Sequence, residues 1–579
     1  MRAHLEKCWV VKEVNQATVS RHIEQLKISP LLARILVLRG LAKSESAQRY
    51  LSSSLRSDLP SPFLMADMDP AVDRIVHAIQ KKQVICVWGD YDVDGTTGAS
   101  VLVLFLREVG AEPIYHIPHR IDEGYGLNLD GIARLKERGV DLIVTVDCGI
   151  SNPAEVAAAR EVGLDVVIVD HHQLPEELPP ALAVINPHRK DCSFPDKSLC
   201  AAGLAFYLAI GLRAKLRSVG WFSQDPDIRR YLDIVTLGTI ADMVPLTGVN
   251  RTLIRRGLAE LSGSTRPGVL ALKQVANIPP GPVSAGQVGF QLGPRINAAG
   301  RVDYGIKVIE LLTTDSNEVA LRIAQELDEH NRERRAIEAE VLEQALVEAE
   351  ARMNGEAPYS LVLGGEGWHP GVLGIVASRI VERFYRPTVI VGLDGGAGKG
   401  SARSIRGFHM VEGFRRCAAH LEKFGGHEYA GGLSIKTEKL QLFSDAFERV
   451  ARECLQPRDL SPLLEIDALI HFSEIGFPLM RDLETLKPFG IGNPEPLFMS
   501  EGVEICERKP FGSGARFRLR QGQRIIGGAA FGVGEDFLGA SGVAIDVAYR
   551  LCENEWNGTS TVELRIVDAR PTASRARTV

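Results

Sequence analysis

Between about residues 70 and 250, short apolar runs alternate with stretches that have helical periodicity. The runs QVICVWGD, DLIVTVDCGI and LDVVIVDHH are rich in β-branched residues. The first two are followed by the helical patterns TTGASVLVLFLREVG and NPAEVAAAREVG. Continuous apolar strands separated by helices are typical of a parallel sheet that is covered on both faces. The pattern therefore predicts an α/β domain, with ligands bound at the carboxyl ends of its strands.

A long polar stretch follows this region. From Asp315 to about Met353 the pattern is helical and highly charged, and it contains neither proline nor glycine. Asp315 or Ser316 has a side chain suited to cap the first turn. A helix of about 38 residues would extend roughly 57 Å at 1.5 Å per residue. So polar a helix is typical of a connection between domains.

The last part of the chain changes from α/β patterning to strand-like alternation. A second, smaller α/β region runs from about residue 357 to 455 and includes the strand PTVIVGL. After about residue 460, the segments GARFRLR, QRIIGGAAF, VAIDVAYRL and TVELRIVD predict a small β-barrel or sandwich, with a hairpin turn at Asn557-Gly558. The predicted limits are an N-terminal extension 1–69, a first α/β domain 70–310, a connecting helix 311–355, a second α/β domain 356–456, a β domain 460–570 and a disordered tail 571–579.

Composition narrows the class of protein only slightly. The net charge of −6 and the pI near 6.2 fit an enzyme for small substrates, but phosphate binding depends on local charge. The nine cysteines are scattered without a C-x-x-C pair, which argues against a thiolate zinc site and favours a reducing cytoplasm. The first residues, MRAHLEKCWVVKE, lack the apolar segment of a secretory signal, and no apolar run is long enough to span a membrane.

The first chemical signal is the acidic cluster in GDYDVDGTT. Asp90, Asp92 and Asp94 stand at alternate positions between a predicted strand and a predicted helix. Three carboxylates so close together repel each other unless cations neutralise them. An EF-hand loop is excluded, because its twelfth position requires glutamate and that position is Val101 here. A solvated turn and a metal site remain open for this cluster alone.

Further acidic and imidazole groups follow other apolar runs. Asp147 follows the second run, Asp170, His171 and His172 follow the third, and Asp242 follows DIVTLGTIA. Each alone could be a helix cap or a satisfied polar residue. Four strand ends in one sheet would bring them together, and oxygen and imidazole ligands suit Mn²⁺ or Mg²⁺.

These four motifs, in this order, resemble the metal-binding motifs of the DHH phosphoesterases. The resemblance implies that two divalent ions, Mn²⁺ or Mg²⁺, are held by Asp90, Asp92, Asp147, His171 and Asp242, with Asp92 or Asp147 bridging. It also implies catalytic roles for His172, near the scissile phosphate, and for Asp94. One departure is Trp88, where many family members have histidine; one ion would then have one protein ligand fewer.

The resemblance extends to segments that contact substrate in this family. GFQLGPRINAAGR is similar to the motif that closes the catalytic domain in the exonuclease branch. It implies that Arg295, Asn297 and Arg301 bind substrate, and IPHRIDEGYGL adds Arg120. Arginine suits phosphate because its fork donates two hydrogen bonds at once. The alternative for the arginines is an ordinary ion pair.

The second α/β region resembles the DHHA1 domain of the family. The matching segments are WHPGVLGIVASR, GSARS and FGGHEYAGG. The resemblance implies that Ser401 and Arg403 hold the terminal phosphate and that His369 and His427 line the groove. GGAGKGS nearby is not a P-loop, because Leu393 and Gly400 occupy positions where the pattern needs Gly and Ser or Thr.

The β-rich region begins with LKPFGIGNPEPLF and is similar to the OB fold of the exonuclease branch. OB folds bind single strands with a basic groove and stacking aromatics. The alternative is an ordinary strand with a solvated charged face. The basic and aromatic residues that suit such a groove are Arg508, Lys509, Phe511, Arg516, Phe517, Arg518 and Arg520.

The resemblance implies a function: hydrolysis of single-stranded DNA from the 5′ end to 5′-mononucleotides in repair and recombination. A DHH phosphodiesterase for nanoRNA or cyclic dinucleotides and a non-catalytic replication scaffold are the alternatives. By analogy, a single-strand binding protein and a helicase are expected partners. A cytoplasmic location and a monomer are also expected, since one chain could form the whole clamp.

Overall fold

The computed structural model describes residues 7–119, 123–299, 305–512, 514–531, 544–556 and 558–572. The first elements are β1 (Cys8–Val11), α1 (Gln16–Leu26), α2 (Pro30–Leu38), α3 (Ser44–Ser52), α4 (Leu55–Asp58) and α5 (Met68–Lys81). Three of these helices begin at a polar cap, because Asn15 Oδ1 accepts from the backbone of Thr18, Ser29 Oγ from that of Leu32 and Ser54 Oγ from that of Arg56.

A parallel five-stranded sheet follows, as the apolar runs predict. Its strands have the order β3-β2-β4-β5-β6. The chain places β3 on one side of β2 and then β4 on the other, so a topological switch point lies between β2 and β4. Its elements are β2 (Ile85–Gly89), α6 (Val93–Glu108), β3 (Ile114–His116), α7 (Leu129–Glu137), β4 (Leu142–Val146), α8 (Pro153–Glu161), β5 (Asp165–Val169) and β6 (Ala183–Ile185).

A helical layer completes this first α/β region. Its elements are α9 (Ala201–Ser218), α10 (Leu232–Ala241), α11 (Gly248–Gly263), α12 (Pro267–Val275), α13 (Ala285–Gln287), a π-helix (Val288–Leu292), α14 (Gly293–Ala299) and α15 (Gly305–Thr313). The run DIVTLGTIA forms α10 rather than the predicted strand. Its residues from Leu232 to Thr239 are all buried, and an all-round apolar helix has no periodicity that separates it from a buried strand.

The long polar helix is confirmed as α16 (Asn317–Met353), 37 residues long. Ser316 Oγ accepts a hydrogen bond from the backbone of Val319 at 3.3 Å, so Ser316 is the capping residue. The chain forms two compact units, and the division falls within α16. One unit comprises Met1–Gly40, Arg332–Leu483 and Pro496–Val579, and the other comprises Leu41–Asn331 and Glu484–Glu495. The predicted extension 1–69 therefore contributes to both.

The segment Glu484–Glu495 is held against the rest of its unit, Leu41–Asn331, by a buried arginine. Arg251 is 1% exposed and donates to the carbonyls of Leu486 and Thr485 at 2.8 and 2.9 Å. Its guanidinium also stacks on the ring of Tyr50, 3.8 Å from the centroid. Hydrogen bonds to a charged donor contribute about 1.5–3 kcal/mol each, so this segment is part of the unit's core.

The second α/β region has a mixed sheet with the order β10-β11-β9-β8-β7, in which only β7 and β8 are parallel. One face packs on α18 and α19 through Phe414, Phe443 and Phe447, and the other packs on α17. The elements are β7 (Leu361–Glu366), α17 (Pro370–Phe384), β8 (Thr388–Asp394), β9 (Ala397–Arg403), α18 (Met410–Arg416), β10 (Lys423–Gly426), β11 (Ala430–Lys436) and α19 (Leu440–Cys454).

The C-terminal strands form a closed five-stranded barrel, in which β14 pairs with both β15 and β17. The elements are β12 (Leu463–Ile466), which pairs with β1, β13 (Ala468–Leu469), α20 (Phe477–Leu486), β14 (Phe498–Phe511), β15 (Gly514–Gln521), β16 (Arg524–Ala530), β17 (Ala544–Trp556) and β18 (Thr559–Pro571). Gly558 lies in the turn between β17 and β18, while Asn557 and residues 573–579 of the predicted tail lie outside the described residues.

The described residues also form short 3₁₀ helices, at Pro62–Leu64, Ile228–Tyr231, Ala418–His420, Thr437–Lys439, Pro457–Leu460 and Phe472–Glu474. Across the described ranges, no helix combines the length and apolar character needed to cross a bilayer.

Candidate metal centre and nucleotide-binding surfaces

Three acidic residues lie at neighbouring strand ends of the parallel sheet. Asp90, Asp147 and Asp170 are each the first residue after β2, β4 and β5. Their backbone N–H groups donate to carbonyls at the end of the neighbouring strand at 3.1, 2.9 and 3.1 Å. The hydrogen-bond pattern of the sheet therefore continues for one residue beyond each strand. The sheet thus aligns three carboxylates along one edge, and two of them flank the switch point, where α/β sheets bind ligands.

Asp92 begins helix α6. Its Oδ1 accepts from the backbone of Gly95 at 3.0 Å. A Cβ on Gly95 would lie 2.6 Å from the backbone nitrogen of Asp90, so only glycine allows the loop to fold back this closely. The sequence D-x-D-x-D-G therefore presents two carboxylates at the start of one helix.

The acidic and imidazole groups converge. In each of three groups the candidate ligand atoms lie within 4.8 Å of one another. The groups are Asp90, Asp92 and Asp147; Asp94, His171 and Asp242; and Asp147, His171 and His172. His171 Nε2 lies 3.2 Å from Asp147 Oδ1 and 3.7 Å from Asp242 Oδ2. All five predicted metal ligands are therefore in one pocket, although Asp242 caps helix α10 instead of ending a strand.

The chemistry of this pocket fits divalent cations. Asp147 Oδ1 and Asp242 Oδ2 are buried, and neither accepts a hydrogen bond within the described part of the chain. Burial and repulsion from Asp92 raise the pKa of Asp147 far above its usual range, and burial and Asp94 raise that of Asp242 to about 9. Cations would remove both penalties, because opposite charge favours the ionised carboxylate. Carboxylates and one imidazole suit Mn²⁺ or Mg²⁺.

Asp94 has a different environment from its neighbours. It is 1% exposed, and its two oxygens accept from the backbone nitrogens of Ala201 and Ala202 at 2.6 and 2.9 Å. These amides belong to the first turn of α9, whose dipole favours a negative charge. Oδ2 also lies 3.7 Å from His171 Nε2. Asp94 therefore holds the first turn of α9 and faces the imidazole of His171, with which it forms one of the candidate ligand groups.

His172 is oriented by a carboxylate that the sequence analysis left without a role. Asp170 Oδ1 lies 2.7 Å from His172 Nδ1, and Asp170 is itself held by the backbone nitrogen of Ile150. The hydrogen bond that Asp170 accepts from His172 raises the pKa of His172. Tyr125 also reaches this site, because its hydroxyl lies 3.5 Å from His172 Nδ1 and donates to the carbonyl of Asp147. In the sequence, Asp170 is marked only as the first residue of the DHH motif, and Tyr125 only as the tyrosine of GYGL.

Trp88 packs in the core on the α7 side of the sheet. Its ring lies 4.2 Å from that of His116, and a Cβ on Gly131 would come within 2.3 Å of it. None of the three ligand groups among the described residues includes position 88. The pocket thus assembles its carboxylates and imidazole without a side chain from this position.

Two residues of the GPRINAAGR segment, Arg295 and Asn297, form contacts within the protein. Arg295 is 8% exposed, and its Nε donates to Asp328 Oδ1 at 2.9 Å, so the ion-pair alternative describes it better than the predicted phosphate contact. Asn297 Oδ1 accepts from the backbone of Val93 at 3.2 Å, so it steadies the loop that carries Asp92. Arg120 and Arg301 lie outside the described residues.

The second α/β region places a guanidinium and a hydroxyl side by side. Arg403 and Ser401 lie on one face of β9, and Arg403 donates to the carbonyl of Ala402 at 2.8 Å. Among the described residues, no carboxylate pairs with Arg403, and burial lowers its pKa. A Cβ on Gly374 of α17 would lie 3.0 Å from Ser401 Oγ and 3.1 Å from Arg403 Nη2. A half-buried guanidinium beside a hydroxyl, with no carboxylate partner in the described part of the chain, suits an anion.

The two predicted groove histidines are exposed. His369 caps α17 and accepts from the backbone of Gly371 at 3.1 Å. His427 lies in the turn between β10 and β11, where its backbone nitrogen donates to Ala430. Both belong to the same unit as Ser401 and Arg403.

The barrel carries one exposed group of aromatic and basic side chains. Phe511 and Phe531 are 44% and 59% exposed, with ring centroids 6.3 Å apart, and Arg516 lies over Phe511 at 4.4 Å. Phe517 is buried in the barrel, so it cannot stack on a base. Arg520 pairs with Glu504. Alternation along β15 therefore separates core residues from an exposed basic face.

Comparison with known proteins gives the family. The DHH family N-terminal domain matches residues 84–239, the DHHA1 domain residues 355–453 and the RecJ OB domain residues 466–568. The chain is 37% identical over 576 residues to the single-stranded-DNA-specific exonuclease RecJ of Salmonella typhimurium, covering 94% of this chain and 96% of that protein.

Solved structures agree with this result. The crystal structure of RecJ in complex with Mn²⁺ from Thermus thermophilus is 31% identical, with a TM-score of 0.82, and covers 98% of this chain and 80% of that one. The Mg²⁺ complex from the same organism is 29% identical, with a TM-score of 0.76, and covers 98% and 79%. By its identity over nearly its whole length and by its three matched domains, the chain belongs to the RecJ family of DHH exonucleases.

Proposed function

We propose that this protein hydrolyses single-stranded DNA from the 5′ end and releases 5′-mononucleotides with the help of two divalent ions. The observation that carries the proposal is the position of Asp147, which groups with Asp90 and Asp92 and also lies 3.2 Å from His171 Nε2, because a shared carboxylate can bridge two cations. Relatives with this architecture are named single-stranded-DNA-specific exonucleases, and their crystal structures contain Mn²⁺ or Mg²⁺.

Different residues of the chain would have different roles in this reaction. Asp90, Asp92 and Asp147 would hold one ion, and Asp147, His171 and Asp242 the other. When bound, such ions activate water and stabilise the oxygens of an in-line displacement. Asp94 keeps α9 against His171. His172, oriented by Asp170, is placed to donate a hydrogen bond to a phosphate oxygen as negative charge develops.

The end of the strand is recognised by the second α/β region. Ser401 and Arg403 would bind the 5′-terminal phosphate, since they combine a hydroxyl and a guanidinium that has no acidic partner in the described residues. The exposed group Phe511, Arg516 and Phe531 on the barrel suits stacking of unpaired bases, which duplex DNA does not offer.

The alternatives have less support. A phosphodiesterase for nanoRNA or cyclic dinucleotides needs no OB barrel, yet the match to RecJ exonucleases covers 94% of the chain. A scaffold without catalysis needs no metal ligands, yet the four carboxylates and the one imidazole that are predicted to hold the ions lie close together.

Location and partners are proposals from the resemblance. The nine cysteines form no disulfide, which supports a reducing cytoplasm. Binding to a single-strand binding protein or a helicase is tested by pull-down with purified partners. The expected monomer is tested by light scattering.

The decisive experiment digests strands labelled at either end, in single- and double-stranded form, with Mn²⁺. We expect a 5′ label to appear at once as a mononucleotide, a 3′-labelled strand to shorten gradually, and blunt duplex to persist. Internal cuts or earlier release of the 3′ label would refute the assignment. A dinucleotide that is cut faster than a long strand would favour the small-substrate alternative.

A second prediction concerns the terminal phosphate. Gly374→Val should raise KM for 5′-phosphorylated strands about tenfold, because its side chain would crowd Ser401 and Arg403 and cost part of a charged hydrogen bond. KM for 5′-hydroxyl strands should change much less. Glu382→Val, which puts the same β-branched residue on an exposed position of α17, is the control. Equal changes for both strand types would show that Gly374 does not act through the phosphate.

A further inference from the structure

An open cavity of about 400 Å³ lies beside the terminal-phosphate residues on the second sheet. It is formed by β9, β11 and β10 together with the first turn of α17. Its polar lining residues are Lys399, Ser401, Lys423 and Ser434, and no carboxylate is among the residues that line it. Phe424 forms part of the wall.

The strand register places the two lysines in one row. Lys399 on β9 pairs with Ser434 on β11, which in turn pairs with Lys423 on β10. Strands about 4.8 Å apart put the two lysine Cα atoms about 10 Å from each other, with the serine between them. Since successive side chains alternate, Lys399, Ser401 and Arg403 share one face of β9, with Lys399 about 7 Å from Ser401 along the strand.

The charge in this row is uncompensated. Neither Lys399 nor Lys423 forms an ion pair with a carboxylate in the described part of the chain, whereas Lys487 and Lys509 each pair with a glutamate. Gly425 and Gly432, which lie in register with Ser401, leave the floor of the cavity without side chains there, so a ligand can approach the backbone. Two ammonium groups, two hydroxyls and an open floor suit a ligand with several negative charges.

We propose that this cavity is a second anion subsite that binds the outer phosphates of a strand with a 5′-triphosphate end. The inference rests on the proposed function, in which Ser401 and Arg403 hold the phosphate attached to the 5′ carbon. Ser401 lines the cavity, so groups linked to that phosphate enter the space between Lys399 and Lys423.

The subsite changes the first product and leaves the chemistry as it is. Water attacks the phosphorus between the first and second nucleotides. The bond from that phosphorus to the 3′ oxygen of the first nucleotide breaks, and this oxygen takes up a proton. The first product is then a nucleoside triphosphate, and the shortened strand carries an ordinary 5′-monophosphate for the following rounds.

The test compares single strands of one sequence that carry a 5′-monophosphate or a 5′-triphosphate. We expect the wild-type protein with Mn²⁺ to digest both and to release a nucleoside triphosphate only from the second. In the double variant Lys399→Gln/Lys423→Gln, KM for the triphosphate strand should rise about tenfold relative to that for the monophosphate strand. Lys436→Gln is the matched control, because Lys436 lies on β11 and does not line the cavity.

The possible outcomes distinguish a failure of this inference from a failure of the proposed function. Digestion of monophosphate strands together with rejection of triphosphate strands would overturn the subsite and leave the exonuclease assignment intact. Digestion of neither strand would overturn the function itself. Inorganic triphosphate is the probe for a free anion, and it should inhibit the wild-type protein competitively and the double variant about tenfold less. Equal inhibition of both proteins, or an equal effect of Lys436→Gln, would place the anion elsewhere and refute the proposal.

Discussion

Asp147→Asn should lower the rate of strand hydrolysis by about a thousand-fold or more. Asp147 belongs to two of the three ligand groups, and its removal disturbs the binding of both cations. Metal-ion catalysis stabilises the transition state by several kcal/mol, and each 1.4 kcal/mol is about a factor of ten. The measurement is kcat on a 5′-phosphorylated single strand at saturating Mn²⁺.

Asparagine is the informative replacement because of the backbone at this position. Asp147 has a φ of 66°, and asparagine adopts this left-handed conformation more readily than other non-glycine residues. The variant should therefore fold normally, which thermal melting can check. Asp165→Asn is the control, since Asp165 lies at the opposite end of β5 and its half-exposed carboxylate pairs with Arg74. Wild-type turnover in Asp147→Asn would remove the two-ion mechanism.

The same variant has a stability signature without metal. Because burial and Asp92 raise the folded-state pKa of Asp147, the folded chain binds more protons than the unfolded chain above pH about 4. Stability in chelator should therefore fall as pH rises from about 4 towards neutrality, and less so in Asp147→Asn. Thermal melting at pH 5 and pH 8 measures the difference, and Mn²⁺ should abolish it.

His172→Ala should lower kcat about a hundred- to a thousand-fold while Mn²⁺ binding is retained. The size of the effect is that of removing one donor that stabilises developing negative charge. His172 is 46% exposed and tied to Asp170, whereas His171 is 16% exposed among the carboxylates. We therefore expect the Mn²⁺-induced rise in melting temperature to persist in His172→Ala and to shrink in His171→Ala.

His77→Ala, at an exposed position of α5, controls for a general effect of losing an imidazole. If His172→Ala loses the Mn²⁺-induced shift as well as its activity, His172 is a metal ligand and the division of roles proposed for the two histidines is wrong.

The metal pocket was predictable from the sequence because parallel strands end at one edge. Asp90 and Asp147 each follow a β-branched run, so their proximity followed from the pattern of strands and helices. Asp242 reached the pocket by another route, since its apolar run folds as a helix that is buried on all sides. A run of that kind has no periodicity to distinguish the two structures.

Contacts between distant parts of the chain were beyond prediction. Asp94 accepts from amides 107 and 108 residues further along, and Arg295 meets an aspartate 33 residues away on another helix. Neither pairing leaves a local pattern, so the sequence alone could not show that Asp94 also holds α9 or that Arg295 forms an ion pair. Tyr125 was missed for the same reason, because only the folded chain brings its hydroxyl to His172.

Because the segment Glu484–Glu495 belongs to the same unit as the candidate metal ligands, it limits how far this enzyme can be truncated. A fragment that stops after α19 would keep every candidate metal ligand and yet lose the carbonyls that Arg251 binds. Its guanidinium would then face water or an apolar gap, and the loosened fragment would be prone to aggregate. A minimal nuclease should therefore retain the chain through residue 495, or supply that peptide in trans.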